Sequence, residues 1–308
     1  MNMLDVREHV PLAPLTTFQI GGPARYFVDV KSEDEVREAI AWATERNVRF
    51  LLWAGGSNVL VPDKGLDALV IRIGSTAFMF DSATLEADAG CNLLTLIREA
   101  AHQDLGGWEK LAGIPGTIGG AVRGNAGAFG PEIKDFVMHV RALHSIGGQI
   151  KNFSNEECNF SYRHSFFKNH PEWIILHVSF ELLITDKEES ERAIEDTIAE
   201  REKRHLQNVR AAGSFFMNPV APKDVQEMFE RERGAQSREG RVPAGWLIEK
   251  VGMKGARVGG AIASEQHPNY LVNTGGATAK DVRELAAKIK VAVREQFSVD
   301  LQEEAAVF

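Results

Sequence analysis

The chain has few cysteines and no apolar run long enough to cross a membrane. Its 308 residues include only Cys91 and Cys158, which are far apart and outside any C-x-x-C pattern. Such isolated cysteines are typical of reduced thiols in an intracellular protein, so we favour free thiols over a disulfide. The longest apolar-rich run, 173–184, is too short and interrupted for a transmembrane helix. The acidic N-terminal residues do not resemble a secretory signal peptide, and we expect a cytoplasmic protein without membrane insertion.

An excess of positive charge is absent as well. The formal net charge is −8 at pH 7, which disfavours nucleic acid as a partner. With 44% hydrophobic and 25% charged residues, the composition is that of a globular protein, and the length suits two or three domains.

The best-known nucleotide-binding glycine motifs are also missing. No two of the 28 glycines are separated by a single residue, so neither the Rossmann fingerprint nor the kinase glycine loop can occur. The G-x-x-x-x-G-K-[ST] motif of the Walker-type NTPases does not occur either.

One stretch is nevertheless unusually rich in glycine. Nine glycines lie between Gly106 and Gly130, and we expect this density to exclude a helix or strand there. The reason is that each glycine costs roughly 0.5–1 kcal/mol relative to alanine in such an element. Glycine loops present closely spaced backbone N–H groups, which bind phosphates. Leu111, Ile118 and Phe129 are interleaved with the glycines, which favours a loop packed on a core over a flexible linker.

Strand-like and helix-like patterns follow one another along the chain without a regular alternation. Ser32 and Glu35 form a predicted capping box at the start of the first helix. Further predicted helices cover 92–103, 187–204, 223–231 and 278–297, and the predicted strands cover 26–30, 49–53, 66–73, 84–89, 137–144, 150–153, 173–185 and 270–273. This irregular order favours an α+β fold over a doubly wound sheet.

Six motifs, in order along the chain, resemble those of a flavoenzyme family. They are T-T-F-Q-I-G-G at 16–22, A-G-G-S-N-V-L at 54–60, the glycine-rich segment at 111–130, S-Y-R-H-S-F at 161–166, G-S-F-F-M-N-P at 213–219 and A-G-W-L-I-E at 244–249. The first three resemble a FAD-binding domain of the vanillyl-alcohol-oxidase type. Together the six resemble the UDP-N-acetylenolpyruvoylglucosamine reductases, which complete UDP-N-acetylmuramate in peptidoglycan synthesis and so serve cell shape and division.

The resemblance implies two FAD-binding subdomains, 1–74 and 75–198, and an α+β substrate-binding domain, 199–308, whose last strand carries Glu304. It implies non-covalent FAD, because Asn58 lies where relatives with covalent flavin often have a histidine. NADPH is the implied co-substrate and a nucleotide sugar the implied substrate; no metal and no protein partner are implied. The implied FAD-binding residues are Gly55, Gly56, Ser57, Asn58, Val59, Leu60, Gly113, Ile114, Pro115, Gly116, Thr117, Gly119, Gly120, Asn125, Ala126 and Gly127.

The implied reaction reduces the enolpyruvyl group of UDP-N-acetylglucosamine enolpyruvate, with hydride from flavin N5 to C3 and a proton from Ser214 to C2. Arg163 would pair with the enolpyruvyl carboxylate and stabilise the enolate. Glu304 would polarise that carboxyl group or a bound water, while the adjacent Glu303 would point to the opposite face of a strand. If the resemblance is set aside, the alternative interpretation of Ser214 is a turn or cap residue, and that of Arg163 is a partner in a surface ion pair.

The implied substrate-binding residues are Asn218, Tyr162 and Gln266, with His267 as a further candidate. The sequence departs from the family at Met217, where lysine is usual, and at Asn208, where proline is common. No tyrosine occurs between residues 218 and 260, which places the chain in the shorter branch that lacks a tyrosine loop. Two alternatives stay open: another FAD-dependent oxidase or dehydrogenase of the same fold, and a non-catalytic flavin or nucleotide-sugar binding protein.

Overall fold

The computed structural model describes residues 4–204 and 209–308 and shows the predicted α+β fold. Its strands are β1 (Arg7–Pro11), β2 (Pro23–Val30), β3 (Phe50–Trp53), β4 (Val59–Leu60), β5 (Leu66–Ile73), β6 (Phe78–Asp81), β7 (Thr84–Asp88), β8 (Leu105–Gly106), β9 (Val137–His144), β10 (Ile150–Ser154), β11 (Trp173–Glu181), β12 (Leu183–Ile184), β13 (Arg257–Val258), β14 (Ala261–Ala263), β15 (Leu271–Asn273) and β16 (Ala306–Val307). Its α-helices are α1 (Glu33–Glu45), α2 (Leu93–His102), α3 (Ile118–Gly124), α4 (Phe166–Asn169), α5 (Lys187–Lys203), α6 (Lys223–Arg233), α7 (Ala244–Lys250) and α8 (Ala279–Phe297).

The chain folds into two compact units that each use non-contiguous segments. The first unit consists of Met1–Val10, Ala24–Gly55 and Asp67–Lys203. The second unit consists of Pro11–Pro23, Gly56–Leu66 and Arg204–Phe308. In the described part of the chain, none of the helices combines the length and the apolar character that a membrane crossing requires.

The first unit contains two larger sheets and the short two-stranded sheet of β8 and β12. A four-stranded sheet has the order β1-β2-β5-β3, in which β3 and β5 run parallel, and a five-stranded sheet has the order β10-β9-β11-β7-β6. Ser32 caps α1 by accepting a hydrogen bond from the N–H of Glu35, which is one half of the predicted capping box. The Glu35 carboxylate accepts from the N–H of Lys31 instead of that of Ser32. Large apolar side chains, among them Trp108, Phe153 and Phe180, form the core beneath the five-stranded sheet.

The second unit is built around α8 and a three-stranded antiparallel sheet of β13, β14 and β15. Thr278 and Asp281 form a reciprocal capping box at the start of α8. The C-terminal β16 pairs in parallel with β4. Phe215, Phe216 and Trp246 are buried in the core of this unit.

The structure differs from the sequence-based prediction in several elements, and the short elements β1, β4, β8, β13, β14 and α4 were not predicted. The glycine-rich stretch contains α3, β6 was not predicted, and the predicted strand 173–185 is interrupted. At Leu182 the backbone leaves the five-stranded sheet, and β12 pairs with β8 instead.

Candidate functional site

Two of the predicted FAD-binding segments meet in the first unit. A Cβ atom on Gly55 would lie only 2.9 Å from the Cα atom of Gly116, so the two backbones are in direct contact. Gly113 and Gly116 have φ angles of 78° and 134°, which residues with a side chain rarely adopt. Glycine is thus required here for close approach and for conformation. The exposed backbone of such a turn suits an anionic cofactor group, so these residues fit FAD.

The prediction that the whole glycine-rich stretch is a loop is wrong for α3. Thr117 caps this helix by accepting a hydrogen bond from the N–H of Gly120. Gly119 donates its N–H to the carbonyl of Ala89 at 2.8 Å, and a Cβ on Gly119 would lie 3.0 Å from the Cβ of Ala89. Close packing on the backbone after β7 therefore favours glycine inside the helix, although helix propensity alone argues against it.

Asn125 ends α3 in the left-handed conformation and is fully buried. Its side-chain amide donates to Glu132 and to the carbonyl of Ser161, both at 2.9 Å, and accepts from the N–H of Lys134 at 3.3 Å. The polar groups of this side chain are thus used within the protein. Asn125 shapes the segment around it, which also contains Ile114, Pro115, Ala126 and Gly127.

Arg163 lies against the end of that segment. Its guanidinium donates to the carbonyl of Gly127 at 2.9 Å and stacks over the ring of Tyr162, 5.2 Å from the ring centroid. The backbone of Arg163 has a φ of 55°, which is uncommon for a residue with a side chain. Strained backbone of this kind is concentrated at functional sites, because the surrounding structure must hold it in place. The first unit therefore joins Arg163 to the predicted FAD-binding segment.

The end of the A-G-G-S-N-V-L motif contacts Glu304 in the second unit. The side chain of Asn58 donates to the backbone carbonyl of Glu304 at 3.3 Å, and the carbonyl of Asn58 accepts from the N–H of Ala306 at 3.0 Å. Val59 and Leu60 form β4, the partner of β16. Glu304 itself lies just before β16 rather than on it.

Ser214 precedes the segment 215–217, whose backbone is hydrogen-bonded along both of its edges. On the edge toward residues 302–304, the carbonyl of Phe215 accepts from the N–H of Glu304 at 2.8 Å, and the N–H of Met217 donates to the carbonyl of Gln302 at 2.9 Å. Phe216 and Glu303 form an antiparallel bridge between these contacts. The structure thus brings the predicted acid, the predicted glutamate and Asn58 onto adjoining backbone segments of one unit.

Glu303 and Glu304 occupy different environments. The carboxylate of Glu303 forms an ion pair with Lys290 on α8 at 2.7 Å. Glu303 is thereby held by a surface cation of its own unit, and Glu304 stays the proposed catalytic glutamate.

The predicted substrate-binding residues of the second unit differ in how firmly they are held. Asn218 accepts the N–H of Ala244 at 3.0 Å, whereas Gln266 is exposed and bonds to Ser264. Asn208 lies outside the described residues. Among residues 4–204 and 209–308, no group of three or more His, Cys, Asp or Glu side chains suits a metal ion.

His267 is half-buried beside these residues. Its ring Nδ1 is buried, and the described part of the chain supplies this atom with no hydrogen-bond partner. Burial is the main cause of the lowered pKa of His267, and the charge of Arg204 lowers it further. Nδ1 is thus a buried polar atom of a ring whose neutral form is favoured.

Two residues of this unit were not predicted from the sequence. Arg241 donates to the carbonyl of Asn218 at 3.0 Å and so places a cation next to a predicted substrate residue. Asn269 binds the backbone that follows Ser214. The basic residue before A-G-W-L-I-E was visible in the sequence, whereas nothing local marked Asn269.

Comparison with known proteins agrees with this geometry. A protein-family model described as FAD binding domain matches residues 24–154, and one described as UDP-N-acetylenolpyruvoylglucosamine reductase, C-terminal domain, matches residues 204–308. The chain is 36% identical over 301 residues to the UDP-N-acetylenolpyruvoylglucosamine reductase of Solibacter usitatus, covering 98% of this chain and 96% of that protein. It is 38% identical over 298 residues to the reductase of Carboxydothermus hydrogenoformans, covering 96% and 91%.

A solved structure gives the same result. The crystal structure of UDP-N-acetylenolpyruvylglucosamine reductase from Thermus caldophilus matches with a TM-score of 0.79 and 33% identity, over 99% of this chain and 100% of that one. The predicted FAD-binding domain and the predicted family are thereby confirmed. The chain belongs to the family of the UDP-N-acetylenolpyruvoylglucosamine reductases.

Proposed function

We propose that the protein reduces the enolpyruvyl group of UDP-N-acetylglucosamine enolpyruvate to the lactyl group of UDP-N-acetylmuramate, with NADPH as the electron donor. The observation that carries the proposal is the hydrogen bonding of Glu304 in the second unit. Its carbonyl binds Asn58 of the FAD motif, and its N–H binds Phe215, the residue after Ser214. One residue thus links the flavin motif to the proposed acid.

FAD is held in this proposal by the backbone of 54–60 and 113–117, where glycine permits close approach. When bound and reduced, FAD supplies the hydride that the C3 atom of the enolpyruvyl group receives. Gly119 and Asn125 support this segment through the contacts to Ala89, Glu132 and the Ser161 carbonyl.

The protein's own groups manage the charge and the proton. Arg163, oriented by its bond to the Gly127 carbonyl, pairs with the substrate carboxylate and stabilises the negative charge that grows on the enolate. Ser214 donates its hydroxyl proton to C2. A serine hydroxyl is a weak acid, but an enolate carbon is a strong base, so the transfer is downhill. Glu304 polarises the carboxyl group or a bound water.

Substrate recognition in the proposal uses Asn218, Arg241 and His267 of the second unit, together with Gln266 and Tyr162. Arg241 supplies a cation beside Asn218, which offsets the missing lysine at Met217 for a substrate with a diphosphate.

The proposal keeps residues 1–74 and 75–198 as two FAD-binding subdomains and 199–308 as the substrate-binding domain. The two larger sheets of the first unit support the boundary at residue 74, because their strands come from before and after it respectively, with β1 and β2 in the first and β6 and β7 in the second. Residues 11–23 and 56–66, however, belong to the second compact unit. A cytoplasmic location and a role in cell shape and division are part of the same proposal. Both cysteines are free and buried, which suits a reducing compartment.

The experiment that tests the proposal measures NADPH oxidation by the FAD-loaded protein with and without the enolpyruvyl nucleotide. We expect oxidation that depends on the nucleotide and yields UDP-N-acetylmuramate in equal amount. Oxidation driven by air without the nucleotide would favour an oxidase of the same fold. Bound FAD without any turnover would favour a binding protein.

A further inference from the structure

Asn269 is a buried polar residue of the second unit whose side chain makes two hydrogen bonds to the backbone of Phe216. Its side-chain oxygen accepts from the N–H of Phe216 at 2.9 Å, and its amide nitrogen donates to the carbonyl of Phe216 at 2.8 Å. The residue is 2% exposed. Its own backbone carbonyl accepts from the N–H of Phe215 at 2.8 Å.

These three bonds replace a neighbouring strand. In a sheet, the N–H and C=O groups of a residue bind the backbone of the next strand. Here the segment 302–304 binds one edge of the segment 215–217, and a single side chain satisfies Phe216 on the other edge. One substitution can therefore remove both bonds to Phe216, which is not possible where a backbone provides the bonds, while the bond from Phe215 to the backbone carbonyl of Asn269 stays.

Ser214 depends directly on this arrangement. It lies between Gly213, which has a φ of 74°, and Phe215. Glycine gives the preceding backbone freedom to rotate, so the direction of the serine hydroxyl is determined by the residues that follow. Those residues are held by Asn269 on one edge and by Glu304 and Gln302 on the other.

We propose that Asn269 is the positioning residue of the proton-transfer step, holding Phe215 and Phe216 so that the Ser214 hydroxyl stays aimed at C2. The inference rests on the proposed role of Ser214. Asn269 contacts no reacting atom and acts only through the backbone. Displacing a catalytic group by roughly 1 Å can reduce the rate about 10²-fold, so a large effect is expected from a residue outside the chemistry.

The test uses Asn269→Asp, which keeps the shape and the acceptor but loses the donor to the Phe216 carbonyl. The matched control is Asn155→Asp in the first unit, because the Asn155 amide also donates to two backbone carbonyls, those of Lys134 and Val137. Asn269→Ala, which places no carboxylate in the core, serves if the aspartate variant does not fold. Flavin reduction by NADPH and turnover of the enolpyruvyl nucleotide are measured for each FAD-loaded variant, alone and in a Ser214→Ala background.

We expect Asn269→Asp to lower turnover about 10²-fold, as for a misplaced acid, while flavin reduction by NADPH and the KM for NADPH stay near wild type. In the Ser214→Ala background the same change should add little further loss, because both residues serve one step. Asn155→Asp should lower the melting temperature without separating the two steps.

Equal loss of flavin reduction and turnover, or full additivity with Ser214→Ala, would overturn the inference by making Asn269 a general structural residue. Normal turnover of the Asn269→Asp variant alongside impaired turnover of the Ser214→Ala variant would overturn this inference and leave the proposed function standing. A wild-type protein without turnover would overturn the proposed function and this inference with it. A fully active Ser214→Ala variant would overturn the role of Ser214 and this inference, but not the proposed reaction.

Discussion

Replacing Gly55 with alanine should weaken FAD binding through steric separation of two backbone segments. The new Cβ would have 2.9 Å to the Cα of Gly116, whereas ordinary contact begins at 3.4 Å, so the segments must separate by 3.4 − 2.9 = 0.5 Å. Overpacking of this kind costs about 1–3 kcal/mol. If the shift removes one hydrogen bond to a charged phosphate, about 1.5–3 kcal/mol of binding is lost, or roughly 10- to 100-fold in the dissociation constant for FAD.

The matched control for this prediction is Gly124→Ala, from the end of α3. No atom lies within 4 Å of a Cβ built on Gly124, and its φ is not positive. This change should leave FAD binding unaltered and raise the free energy of unfolding by about 0.5–1 kcal/mol, because alanine favours a helix over glycine.

The assay titrates apoprotein with FAD and follows flavin fluorescence, with thermal unfolding measured on the same samples. If the Gly55→Ala variant binds FAD as tightly as wild type, the contact between Gly55 and Gly116 does not determine the affinity for FAD. The same conclusion follows if Gly124→Ala weakens binding to the same extent, since the effect would then not depend on contact between the two segments.

Three further substitutions and one thiol-labelling experiment have defined outcomes. Ser214→Ala should leave flavin reduction by NADPH intact in stopped-flow traces and lower turnover at least about 10²-fold; an equal fall in both would make Ser214 structural. Arg163→Ala should lower turnover about 10²- to 10³-fold by removing charge stabilisation, and a change in KM alone would contradict that role. Burial raises the pKa of Cys91 to about 11 and of Cys158 to about 12, so neither thiol should react with a disulfide reagent at pH 8 until the protein is unfolded; rapid labelling of the native protein would contradict their burial. Thr278→Ala should destabilise the protein by about 1 kcal/mol through loss of the α8 cap, with unchanged FAD content, and an unaltered melting temperature would refute the cap's contribution.

Elements with strong local signals were predictable from the sequence. The N-cap at Ser32 and the predicted helix 278–297 agree with the starts of α1 and α8. An N-cap hydrogen bond is a local signal because it involves residues only three positions apart. The predicted strands 66–73, 137–144 and 150–153 also agree with β5, β9 and β10 to within one residue.

Features that depend on distant residues were not predictable. The helix α3 contains Gly119 because Ala89 packs against it, and that contact outweighs the poor helix propensity of glycine. Asn269 resembles any other loop asparagine until the backbone of Phe216 is placed beside it. The contact of Glu303 with Lys290 likewise requires α8 and the C-terminal segment to be folded together.

The family motifs identified the candidate residues of the site, but their mutual contacts came only from the structure. Nothing in S-Y-R-H-S-F indicates that Arg163 binds the carbonyl of Gly127 from a left-handed backbone. Nothing in A-G-G-S-N-V-L indicates that Asn58 binds the carbonyl of Glu304. Both contacts join segments more than thirty residues apart in sequence.

A single-turnover measurement shows whether the reduced enzyme passes its electrons to the enolpyruvyl nucleotide. The FAD-loaded protein is reduced with NADPH under anaerobic conditions and separated from the excess NADPH. It is then mixed with UDP-N-acetylglucosamine enolpyruvate. We expect the flavin absorbance to return and one UDP-N-acetylmuramate to form for each FAD oxidised. Flavin that stays reduced until air is admitted, with the nucleotide recovered unchanged, would contradict the proposed reaction.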